Sequence, residues 1–132
     1  MCLLLNDQQN VLLTAHNDML VWKVLKECNE SVYFYCKWTK GETKTSPLPV
    51  AKRLTHYPGY KVSVGLHAFI SSRAAYSWGL NGGFNKPPEK VVAMTIPEGA
   101  SYYVNKRTHE IVTSALRWEK DDGNLSQDPV DI

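Results

Sequence analysis

The clearest alternation of hydrophobic and polar positions runs from Tyr60 to Gly79. Val62, Val64 and Leu66 alternate with Lys61, Ser63 and Gly65, the period-two signature of a half-buried strand. Ser71 or Ser72 then offers a hydroxyl to the free N–H groups of a helix start. Gly79 stands where a left-handed residue would close that helix. The pattern predicts a strand feeding a short helix over about residues 72–78, with Ala75 and Trp78 on one face packed against a sheet.

Other segments read as strands. Leu20, Trp22 and Val24 share one face of 19–27, with Lys23 and Glu27 on the other. Over 32–38, Val32, Phe34, Cys36 and Trp38 oppose Tyr33, Tyr35 and Lys37. Their aromatic and β-branched content predicts a hairpin turning at Asn29-Glu30. Val91–Ile96 is a continuous apolar run stopped by Pro97, as a central strand buried on both faces would be. Ala100–Val104 and Ile111–Trp118 add two more around a polar turn, Asn105–His109. Residues 1–18 fit no single period, because Asn6–Asn10 separates Leu3–Leu5 from Val11–Leu13; a short N-terminal helix or an edge strand is expected. The class is α+β: a small, strongly bent, mostly antiparallel sheet of about six strands with one short helix.

Between these elements lie two loops. Residues 39–60 carry Gly41, Pro47, Pro49, Pro58 and Gly59, and a loop of about twenty residues in a compact domain is commonly a lid or binding surface. The second, Asn81-Gly82-Gly83-Phe84-Asn85 followed by Pro87-Pro88, leads into no helix and so is no phosphate-cradling turn. With 132 residues, 43% of them hydrophobic, a single globular domain over 1–118 is expected. The acidic stretch 119–132 is expected to be disordered.

Met1–Leu5 lacks the basic start and cleavage site of a signal peptide, and no apolar run approaches the roughly 18 residues of a membrane helix. A cytoplasmic protein without membrane attachment is therefore expected. The three cysteines, Cys2, Cys28 and Cys36, are odd in number and match no zinc spacing. The predicted hairpin register sets Cys36 opposite Lys23 and Cys28 opposite Ser31, too far apart to bridge. Reduced thiols are expected.

The net charge of +2 conceals an asymmetry. Glu119, Asp121, Asp122, Asp128 and Asp131 make the end acidic against Lys120, while Lys37, Lys40, Lys44, Lys52, Arg53 and Lys61 face only Glu42 in the 37–61 segment. Such a segment binds a polyanion, is masked by the tail, or is merely a solvated loop. It is the proposed partner-binding surface, for an acidic protein or for nucleic acid. Tyr33 and Tyr35 beside Lys37 also suit base stacking, unless the helix or the N-terminal segment covers them.

Chemistry is sparse. His16, His56, His67 and His109 form no i, i+4 pair and neighbour no cysteine, so no metal site is expected. No P-loop, dinucleotide fingerprint or nucleophile elbow occurs. His67, near a strand end, and Glu110, at the mouth of another beside His109, are the candidate catalytic residues if the chain is an enzyme. A structural histidine and an exposed charge at a turn end are the plainer readings.

Gly65-Leu66-His67-Ala68-Phe69, then Ile96-Pro97-Glu98-Gly99-Ala100 with Tyr102-Tyr103 and Glu110-Ile111-Val112, resemble a pattern in small bacteriophage and prophage accessory proteins, over about residues 60–118. The resemblance implies a phage-associated protein in the host cytoplasm that binds, and thereby inhibits, a host or antiviral-defence macromolecule, with no catalysis and no cofactor. The order of elements is also similar to the ADP-ribosyltransferase fold, which would make Glu110 the acidic residue, place His67 by the nicotinamide pocket and require NAD. The chain departs from that family at Val21-Trp22-Lys23-Val24, where the arginine or histidine is missing. It also lacks the Ser-Thr-Ser stretch and a second nearby glutamate. The transferase reading therefore stands second.

Overall fold

The computed structural model describes residues 3–26, 29–31, 37–81 and 89–119. Its longest antiparallel ladder joins β3 (Met19–Lys26) to β8 (Glu89–Ile96) over eight residue pairs. Both strands are buried on two faces in their central portions, as the apolar run Val91–Ile96 predicts. In β3, Trp22 and Val24 face one side while Val21 and Leu25 face the other. Lys23 lies on the latter side and is buried. The face predicted to be polar is instead interior, and the lysine is tolerated because its Nζ donates to the His67 carbonyl at 2.6 Å and lies 5.8 Å from the Trp38 ring centre.

The main sheet has eight strands in the order β2-β9-β10-β7-β3-β8-β11-β4, every pairing antiparallel. The others are β2 (Leu13–Thr14), β4 (Thr43–Thr45), β7 (Leu66–Phe69), β9 (Ser101–Asn105), β10 (Glu110–Thr113) and β11 (Ala115–Arg117). The predicted final strand is thus two. Its first half pairs with β7 and β9, its second with β8 and β4. At Ser114 the alternation slips by one: Ile111 and Thr113 are buried before it, Leu116 and Trp118 after it. This bend re-aims the backbone and lets one segment pair with β7 in its first half and with β8 in its second. The interior is filled by Val21, Leu25, Trp38, Met94, Ile96, Ile111, Leu116 and Trp118, each such apolar side chain stabilising by about 1.5–3 kcal/mol.

The Tyr60–Gly79 stretch also divides. β6 (Tyr60–Val62) belongs to a second sheet, β1-β6-β5, with β1 (Leu3–Leu5) and β5 (Ala51–Arg53). The chain crosses to β7 at Gly65, whose φ is +131°. A Cβ there would collide with Val112 Cγ1, so only glycine lets the crossover lie this close to β10. Val64 consequently leaves the predicted face and is 42% exposed, while Val62 is fully buried. The small sheet packs Leu3, Leu5 and Val62 on Tyr103 and Val112.

The helix α1 (Ser72–Asn81) covers another part of the main sheet, with Ala75 and Trp78 on Trp22, Phe69 and Ala93 as predicted. Ser71 Oγ caps it by accepting the Ala74 N–H at 3.2 Å. The helix continues through Gly79 to Asn81 and does not close there.

The α+β class and the bent antiparallel sheet hold, but the strands number eleven among the described residues, most of them short. The N-terminal segment is strand, and the 39–60 loop contributes β4 and β5 at sheet edges, with Pro47 and Pro49 between them rather than in a ladder. At the predicted hairpin of 19–27 and 32–38, Leu25 bridges Ser31 and Glu30 bridges Lys37, so the register is not the one predicted. All three cysteines, Tyr33, Tyr35, the Gly82-Gly83 loop and residues 120–132 lie outside the described residues.

Candidate functional site

The basic residues of the 37–61 segment occupy two places. Lys40 and Lys44 flank two buried tryptophans: Lys44 lies 5.3 Å from the Trp38 centroid and Lys40 5.9 Å from that of Trp118. Lys44 is also paired with Glu42 at 3.1 Å. Lys37 is exposed. Lys52, Arg53 and Lys61 belong to the small sheet.

There the register decides what faces outward. Leu3, Val62 and Ala51 align in one row and turn inward, so the next row, Leu4, Lys61 and Lys52, is left facing outward. Gly59, at φ +113°, and the Leu54 N–H donating to its carbonyl at 3.0 Å close the hairpin between β5 and β6. Arg53 lies 5.8 Å from the Tyr60 ring centre, which leaves its guanidinium at the rim. Lys52 and Lys61 therefore oppose each other directly across the ladder, both exposed. Neither has an acidic partner among the described residues. Like charges in such a position destabilise a sheet, and nothing in the packing requires lysine at either place.

The described part of the acidic end does not reach these lysines. Glu119 accepts from Arg117 at 2.9 Å and from the Thr95 hydroxyl at 3.2 Å. Arg117 also holds Asp18 at 3.1 Å. The Glu98 N–H and Arg117 keep the Asp18 carboxyl below its ordinary value.

His67 and Glu110 lie on paired strands, His67 opposite Val112 and Glu110 opposite Phe69, but the groove that Glu110 borders is not lined by His67. Both His67 ring nitrogens are buried without a hydrogen-bond partner. Burial, and secondarily the nearby Lys23 ammonium, lowers its pKa to about 4 against a weak opposing pull from the Ser63 backbone. His67 is thus a neutral ring at neutral pH, held against the sheet.

Glu110 instead borders an open groove of about 480 Å³ between α1 and the Asn105–His109 turn, together with Phe69, Arg73, Trp78, Arg107 and His109. Asn105 builds that turn by accepting the Arg107 and Thr108 N–H groups at 3.0 and 3.3 Å and donating to the Leu4 carbonyl at 2.8 Å. His109, at φ +65°, closes it. The His109 carbonyl accepts the Ile70 N–H at 2.8 Å, and its Nδ1 meets Ser71 Oγ at 2.9 Å. Glu110 Oε1 accepts the Thr108 hydroxyl at 2.8 Å. Ser71 is buried and committed to the helix cap, so the Ser71–His109 contact is a brace and not a nucleophile with its base. Arg73 and Arg107 escaped sequence reasoning because they are 34 positions apart and only the β9–β10 turn brings them together.

Among the described residues no three His, Cys, Asp or Glu side chains converge as metal ligands would, and no helix is long and apolar enough to cross a membrane. Comparison with protein-family models, with curated proteins and with solved structures finds no match.

Proposed function

We propose that the protein acts by binding, in the manner of small phage accessory proteins, and that the outer face of β5 and β6 is its contact surface for an acidic host or defence macromolecule. The observation that carries this reading is the directly opposed, exposed Lys52–Lys61 pair, which lacks a carboxylate partner among the described residues. An acidic partner would relieve that repulsion on docking, so part of its affinity comes from a strain the free protein already holds. Leu4, 55% exposed and in the same row, supplies apolar contact beside the charges. Of the remaining segment, Lys44 is offset by Glu42 and contributes less. The transferase reading is the weaker one, since Glu110 reaches an open groove that His67 does not line.

Capture from a bacterial lysate with the wild-type chain and with Lys52→Glu/Lys61→Glu tests the surface. The double variant keeps like charges opposite each other, so its stability stays near wild type while the sign of the surface reverses. Loss of the captured partner is expected. Equal recovery by both proteins rejects the surface. Capture of oligonucleotides in place of protein, with an affinity that falls steeply with salt, would assign the same lysines to nucleic acid.

A further inference from the structure

We infer that the groove between α1 and the Asn105–His109 turn is a binding site for a small phosphate monoester carried on a flat ring, a site separate from the Lys52–Lys61 surface. Three donors converge from two elements. Arg73 comes from the first turn of α1, and Arg107 and His109 come from the β9–β10 turn. The turn is not loose: the Asn105 side chain holds its backbone, and the Ile70 N–H ties His109 to the segment leading into α1. The backbone that carries Arg107 and His109 is therefore set before any ligand arrives.

The His109 ring is oriented by Ser71. Ser71 Oγ accepts the Ala74 N–H and keeps both its own hydrogen and a second lone pair for His109 Nδ1, so the direction of that bond follows the tautomer of the ring. In the tautomer that accepts at Nδ1, Nε2 carries the ring hydrogen and is the third donor. Two guanidinium forks and one imidazole N–H suit the three terminal oxygens of a phosphate monoester better than the two of a carboxylate. The rest of the groove specifies what the phosphate is attached to. Trp78 and Phe69, 6.0 Å apart and tilted at 44°, form an apolar wall able to take a ring. Glu110, with Oε1 held by Thr108, closes one side and favours a ligand that also presents an N–H or O–H there. A volume of about 480 Å³ is within the range of small-molecule sites.

Amide chemical-shift titration of the full chain with phenyl phosphate, inorganic phosphate and phenol tests the assignment. Saturable shifts at Arg73, Trp78, Arg107 and His109 are expected, with phenyl phosphate bound more tightly than either fragment. Arg107→Gln and Arg73→Gln should each weaken phenyl phosphate by about fivefold or more, whereas Lys61→Gln should leave it unchanged. Absence of saturable shifts at these residues overturns the site, as does wild-type affinity in both arginine variants with their amide spectra showing an intact fold. Inorganic phosphate bound as tightly as phenyl phosphate removes the ring from the proposal. Shifts confined to Lys52 and Lys61 overturn the groove and leave the acidic-partner surface standing, so the two readings fail separately.

Discussion

His67 departs furthest from the behaviour of its free amino acid. In the fold its pKa lies near 4 against 6.5 in an open chain. As pH falls below 6.5 the unfolded chain takes up a proton that the fold refuses, so stability is lost between that value and about 4 and changes no further below it. At 1.36 kcal/mol per pKa unit the loss is up to about 3 kcal/mol. Urea unfolding measured across this window should show it in the wild type and not in His67→Leu; equal pH slopes in the two proteins would refute the assignment. The lowered Asp18 carboxyl acts separately, since its contribution is present above 3.8 and is lost as pH falls further. At Gly65 the constraint is steric. Gly65→Ala combines a disfavoured φ with a collision against Val112, and unfolding should become easier by about 2–4 kcal/mol. An unchanged denaturation midpoint would contradict the crossover.

At the scale of elements, the hairpin of β5 and β6 couples stability to binding. Lys61→Glu alone places opposite charges across the ladder from Lys52, and it should raise stability by a few tenths of a kcal/mol while weakening the acidic partner. A variant that lost both would show that the lysines serve the fold. For α1, Ser71→Ala removes the cap and should cost about 1 kcal/mol in thermal or urea unfolding. Much of this is legible in the chain itself. The apolar run Val91–Ile96, the Ser71 cap and the Ala75–Trp78 face follow from local pattern, and local pattern is what a strand or helix obeys. Other features depend on distant partners. The break at Gly65 exists because Val112 lies against it, and the slip at Ser114 exists because the two halves of one segment pair with different strands. Lys23 reads as a solvent-facing charge until the His67 carbonyl and Trp38 are known to surround it.

For the molecule as a whole, the main sheet holds α1 against one part of its surface and the small sheet against another. The helix side carries the groove, and the small sheet carries the opposed lysines. The charge excess visible in the 37–61 segment therefore resolves into two settings, one beside Trp38 and Trp118 and one on β5 and β6. Composition alone could not separate them, because the separation depends on which sheet each short strand joins. The measurement that bears most directly on the proposed role is equilibrium binding of the captured partner to the wild type and to Lys52→Glu/Lys61→Glu, at low and at physiological salt. A contact surface built on the opposed lysines predicts a wild-type affinity at least about tenfold above that of the double variant, narrowing as salt rises. Equal affinities at low salt would contradict it.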